Sequence, residues 1–156
     1  MELPSNPEAE RMVVGCAMLD SGLIPYLVSD LSPNDFFRPT MAAMFGAIRE
    51  LHLAGSDVNP VTVVTEILRR ESLSGSGASG VNHSVVAETL DGVPRFSRPE
   101  SVRSYVETIR RTALQRRILR YAESLSVNAV QRDVDPAELA YWMGQEGFWT
   151  YVGYVQ

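Results

Sequence analysis

"PESVRSYVETIRRTALQRRILRYAESLSVNAV", residues 99–130, decides the fold by its spacing. Val102, Val106, Ile109 and Ala113 recur at steps of four, three and four, which puts them on one face of an α-helix. Leu114, Ile118, Tyr121 and Leu125 repeat those steps on a face turned by roughly a third of a circle, at about 100° per residue. A helix buried against one body along its whole length keeps one stripe. Two stripes in succession predict a long helix whose first half packs on a globular head and whose second half projects. The projecting half is expected to meet the helix that starts at Asp135-Pro136 and returns as a hairpin, and Leu139 joins Leu114, Ile118, Tyr121 and Leu125 as a candidate for the oligomerisation seam.

The same stretch holds Arg103, Arg110, Arg111, Arg116, Arg117 and Arg120, six of the fourteen arginines in the chain. One reading makes them a nucleic-acid-binding strip. On a helical wheel they spread over several directions, the pattern of a solvated or subunit-pairing helix. Glu107 can also pair with Arg110 or Arg111 one turn on. Arg110, Arg111, Arg116 and Arg117 are therefore expected to give, at most, a partner contact or weak DNA binding, while the arginines as a group keep the helix wet outside its seam.

Bulk composition agrees. The chain has 156 residues and a formal charge of −5, so no overall field draws it to nucleic acid or to an anionic membrane. Every basic residue is an arginine. Without lysine there can be no phosphate loop of the G-x-x-x-x-G-K-[ST] type, no Schiff base and no catalytic amine. We therefore expect no enzymatic activity and no bound nucleotide or other cofactor. Cys16 is the only cysteine, which excludes an internal disulfide. Cys16, His52 and His83 lack the spacing of a metal site and read as a buried thiol and two surface imidazoles. The opening "MELPSNPEAER" is polar and acidic where a signal peptide needs a basic start and an apolar core, and "MVVGCAM" is too short to span a bilayer. The expected address is the cytoplasm, away from membranes.

Upstream of residue 99 the pattern is helical throughout. A capping side chain followed by proline recurs there at Asn6-Pro7, Ser32-Pro33 and Asn59-Pro60, and again downstream at Asp135-Pro136. Asp135 and Ser97 each have a glutamate three residues on, the spacing of a capping box. Apolar residues keep helical steps at Ala9, Met12, Val13, Cys16 and Leu19; at Met41, Met44, Phe45, Ile48 and Leu51; and at Val61, Val64, Ile67 and Leu68. "LIPYLVSDL" reads as a short helix with Pro25 in its first turn. "HLAGSDVN", "SLSGSGASG" and "DGVPRFSRP" read as connectors. The result is an all-α chain with a helical globular head at residues 1–98. Residues 99–156 form a C-terminal helical hairpin with an atypical aromatic tail, and the two parts make one domain. In "YWMGQEGFWTYVGYVQ", residues 141–156, Trp142 has two readings, core or hairpin packing and an aromatic protein-binding patch, and the tail as a whole has a third, an irregular terminus.

In order and spacing the chain resembles the N-terminal domain of DnaB-type replicative DNA helicases over about residues 4–140. "NPEAERMVVGCAMLD" is similar to that family's opening acidic helix, "LSPNDFFRPTMAAMFGAIRELHLAG" to its Asp-Phe-aromatic-x-Pro turn and following helix, and "DVNPVTVVTEILRR" to its Val-Asp-x-Val-Thr helix. "DGVP" followed by "YVETIRRTALQRRIL" is similar to its Val-Pro turn and hairpin. Met41 stands where the family often has histidine, Asn59 where it often has aspartate, and "SGSGASGVNHSVV" replaces a Gly-Gly-x-x-Tyr pattern. The resemblance implies a head-and-hairpin fold. It also implies a non-catalytic collar role in which hairpins pair between copies, dimers build a hexamer, primase docks and a helicase loader can bind. ATP and magnesium belong to a RecA-like motor of a parent helicase, and the pattern fades after Ala140 with no Walker loop following. The expectation is an isolated domain, a truncated copy or a free-standing relative. The rival function is that of a free-standing helicase-binding regulator or loader from a mobile element.

Overall fold

The computed structural model of the chain describes residues 1–75, 79–96 and 98–143. Among these, seven α-helices and two 3-10 turns make up the regular structure. The helices are α1 (Pro7–Leu19), α2 (Ile24–Asp30), α3 (Pro39–Leu53), α4 (Pro60–Ser74), α5 (His83–Leu90), α6 (Pro99–Ala129) and α7 (Pro136–Met143). The chain divides into two compact units, one from Ser5 to Arg110 and one made of Met1–Pro4 with the chain from Arg111 onward. The division falls inside α6, about three turns beyond residue 99, because Val102, Val106 and Ile109 belong to the core of the first unit.

Local chemistry sets the helix starts. The Asn6 side chain accepts the Ala9 amide at 2.9 Å, with Pro7 in the first turn. Asn59 accepts the amides of Val61 and Thr62, both at 3.0 Å, while Thr62 returns its hydroxyl oxygen to the Asn59 amide at 2.9 Å. Ser32 and Asp35 close the same reciprocal box on the turn Pro33–Asp35. Asp135 accepts the Ala137 amide at 2.9 Å. The box expected at Ser97 lies outside the described residues. One helix escapes the sequence reading: α5, whose first turn is capped by Asn82 accepting the Val85 amide at 2.9 Å. Its eight residues are too few for the apolar periodicity to declare itself. Where α4 ends, Gly75 takes φ of 70°, the left-handed conformation that glycine adopts without steric cost.

The core of the first unit is apolar and continuous, with Val13, Cys16, Leu27, Met44, Phe45, Ile48, Val63, Val106 and Ile109 all buried. The α3 stripe is as the periodicity predicts, while that of α4 is displaced. Val63, Val64 and Ile67 are buried, but Val61 and Leu68 are 65% and 46% exposed. At about 100° per residue both stand roughly 100° from the centre of the face that α4 turns to α3. Cys16 is fully buried and donates to the Val13 carbonyl at 3.2 Å. Burial, aided by the nearby Asp20 charge, pushes its thiol up to about 12. Among the described residues, no cluster of three or more metal-ligating side chains occurs, and no single helix is long and apolar enough to cross a membrane.

Two adjacent residues fix α1 in this core. Arg11 pairs with Glu8 at 2.9 Å and donates to the main-chain carbonyls of Thr89 and Asp91 at the end of α5. Beside it α1 approaches the same segment closely: a Cβ on Gly15 would lie 2.9 Å from Val93 Cγ2 and 3.2 Å from the Thr89 carbonyl oxygen. Glu10 faces the other way. It is 1% exposed, and its carboxylate accepts the amides of Phe37 at 2.6 Å and Arg38 at 3.3 Å. Arg38 occupies the N-cap of α3 and offers no capping side chain, so a carboxylate from α1 meets the positive end of that helix. Replacing Glu10 by alanine removes the acceptor from both part-buried amides. Glu10→Ala should lower unfolding free energy by about 3 kcal/mol in a urea titration. A loss below about 0.5 kcal/mol would show that the clamp is dispensable.

Candidate subunit-pairing interface

The second unit is built on the C-terminal part of α6. Asn128 donates to the Ser124 carbonyl at 2.8 Å near the helix end, the chain turns through residues 130–135, and α7 begins under the Asp135 cap. The α7 helix then runs back along α6. Trp142 stacks on Tyr121 with ring centroids 6.0 Å apart, and Leu139 shares a cleft of about 250 Å³ with Tyr121, Ser124, Leu125, Asn128 and Trp142. Of the two sequence readings of Trp142, hairpin packing is the one observed, although the residue remains 47% exposed.

The coverage is incomplete. Tyr121 is 5% exposed, Leu114, Leu125 and Leu139 are half-buried, and Ile118 is 41% exposed. Ile118, Tyr121, Ala122, Leu125 and Met143 line a second, more open apolar cleft of about 350 Å³. Ile118, Tyr121, Leu125 and Leu139 are thus brought together across the two clefts, whereas Leu114 lines neither. Ala122 and Met143 were missed from sequence. Alanine carries little hydrophobic signal, and the position of Met143 depends on where the returning helix starts. The aromatic residues from Phe148 onward lie outside the described residues.

The arginines do not behave as one group. Arg110, Arg111 and Arg120 are exposed and Arg117 is half-buried. Arg116 is only 2% exposed and donates from Nη1 to the Pro4 carbonyl at 2.7 Å, so it leaves the set of solvated charges to which the sequence assigned it. The spacing held the clue: Arg116 is the next step of the stripe Val102, Val106, Ile109 and Ala113. Among the described residues Glu107 forms no ion pair with Arg110 or Arg111. An exposed pair of that kind gains only a few tenths of a kcal/mol, too little to order two long side chains.

A helical head joined by one long helix to a half-covered hairpin defines the head-and-hairpin class of all-α domain. The family profile described as DnaB-like helicase N terminal domain matches residues 2–111. The chain belongs to that family. It is 29% identical over 130 residues to the replicative DNA helicase DnaB of Geobacillus stearothermophilus, covering 83% of this chain and 27% of that one. With DnaB of Treponema pallidum (strain Nichols) it shares 30% identity over 127 residues, 81% of this chain and 27% of the relative. It therefore spans little more than a quarter of the length of these relatives. The crystal structure of the N-terminal domain of DnaB helicase from Mycobacterium tuberculosis has the same fold, with a TM-score of 0.77 at 23% identity over 96% of this chain and 99% of that one.

The Tyr121–Trp142 stack is the identifiable anchor of α7. Trp142→Ala should raise amide exchange across residues 136–143 about fivefold, the equivalent of losing about 1 kcal/mol of aromatic contact, and leave the exchange of α3 unchanged. Unaltered exchange in α7 would mean that the helix is held by something else.

Proposed function

We propose that this chain is a non-catalytic collar domain of replicative-helicase type, which pairs with a second copy through the outer face of its hairpin. The observation that carries the proposal is the apolar cleft at Ile118, Tyr121, Ala122, Leu125 and Met143, on a hairpin whose own returning helix does not close it. A neighbouring hairpin supplies the missing apolar face, and the exposed Arg111 and Arg120 with the half-buried Arg117 keep the rest of the helix wet and set pairing partners. In a parent helicase such dimers build the hexamer, primase and a loader dock on the collar, and ATP and magnesium serve a separate motor. The domain itself binds no nucleotide, contacts DNA weakly if at all, and works in the cytoplasm.

Light scattering after gel filtration tests the pairing. The wild-type chain should show a concentration-dependent dimer. Ile118→Glu, which puts a charge into the seam at a cost on the order of several kcal/mol, should weaken dimerisation by at least about 100-fold while circular dichroism stays unchanged. A strict monomer at high concentration, or a folded Ile118→Glu chain that dimerises normally, would refute the pairing. Mixing with a full-length helicase separates the roles further, since a collar domain enters the ring as an added subunit whereas a regulator or loader changes its assembly state.

A further inference from the structure

Arg116 occupies a position where packing alone would favour an apolar residue. It lies three residues after Ala113, in line with Val102, Val106 and Ile109, and is 2% exposed. A guanidinium cannot deprotonate to lessen the cost of burial, so its place must be justified by hydrogen bonds. One runs from Nη1 to the Pro4 carbonyl at 2.7 Å, joining positions 112 residues apart. That carbonyl lies outside any helix, ahead of the Asn6 cap, and is a strong acceptor for a charged donor. Leu3 and Pro4 are half-buried while Met1 and Glu2 are exposed, so the anchor is at the end of the segment nearer the head's first helix. Met1–Pro4 and the chain from Arg111 onward belong to one compact unit, although Ser5 already belongs to the other.

We propose that Met1–Pro4 is a strap on the hairpin unit, closed by the Arg116 guanidinium on the Pro4 carbonyl, and that it keeps the second half of α6 ordered. Its effect on self-association rests in addition on the pairing proposed above: a helix already held straight by the strap loses less freedom when a second copy docks. Arg116 is thus a positioning residue, and the amino-terminal tetrapeptide is part of the assembly module.

Native-state hydrogen exchange of residues 113–121 decides between strap and simple filler. The variants are Arg116→Met, a shortened chain that begins at Ser5 once its initiator methionine is cleaved off and so has no carbonyl in the place of that of Pro4, the two combined, and Arg116→Lys. Each of the first two should reduce protection about tenfold, the consequence of losing one charge-assisted hydrogen bond. The combined variant should show no further loss, because both changes break the same contact. Arg116→Lys should recover part of the protection. Unchanged protection in the shortened chain, or losses that multiply in the combined variant, would overturn the strap. If Arg116→Met fails to fold, the shortened chain, which retains Arg116, decides alone. The dimer dissociation constant of the shortened chain should rise about tenfold, and an unchanged constant would overturn the link to pairing. A wild-type chain that never dimerises would defeat the pairing proposal, yet the exchange measurement on the monomer would still decide the strap.

Discussion

The carboxylate of Glu10 is the contact on which the head depends. It reaches from α1 to the amides of Phe37 and Arg38, at the start of the central helix α3. A charged group with 1% exposure survives there because the end of a helix supplies unpaired donors and a favourable potential at the same point. Its neighbour Arg11 does the converse, giving its guanidinium to the carbonyls of Thr89 and Asp91 at the end of α5. One turn of α1 therefore carries an anion to a helix start and a cation to a helix end, and hydrophobic packing of Val13, Cys16 and Ala17 follows in the register that these contacts set.

The same economy separates the two ends of α6. Val102, Val106 and Ile109 close the head core, whereas further along the chain Ile118, Tyr141 and Trp142 are exposed. Apolar side chains left half-covered on a helix with exposed arginines are costly for a chain that stays alone and useful for one that pairs.

Much of this was legible in the sequence. Cap-proline pairs marked helix starts because the physics of a helix N-terminus is local, and the two stripes of residues 99–130 marked the change of role along α6 because helical period is local too. What escaped depends on partners distant in the chain. Glu10 belongs to an acidic stretch that looks solvated until Phe37 and Arg38 arrive beside it. Arg116 looks like one arginine among six until the Pro4 carbonyl is placed next to it. Val61 and Leu68 were assigned inward because four apolar residues on one short helix allow more than one face, and only contact with α3 selects Val63, Val64 and Ile67. Of the residues that line the two clefts of the hairpin, Ile118, Tyr121, Leu125 and Leu139 were readable, whereas Ala122 and Met143 required the returning helix to be in place.

The central claim is that copies meet along the second half of α6. The buried, unreactive Cys16 thiol leaves the chain free for single-site labelling, since its high pKa and full burial keep it from competing with an introduced cysteine. The most direct measurement is the dipolar distance between spin labels on Glu123→Cys in two copies, with Glu50→Cys in the head as the contrast. Paired helices with axes about 10 Å apart should bring the labels at residue 123 within roughly 30 Å of each other. A dimer that shows no such distance at residue 123, but a short one at residue 50, would mean that copies meet through their heads and would contradict the account.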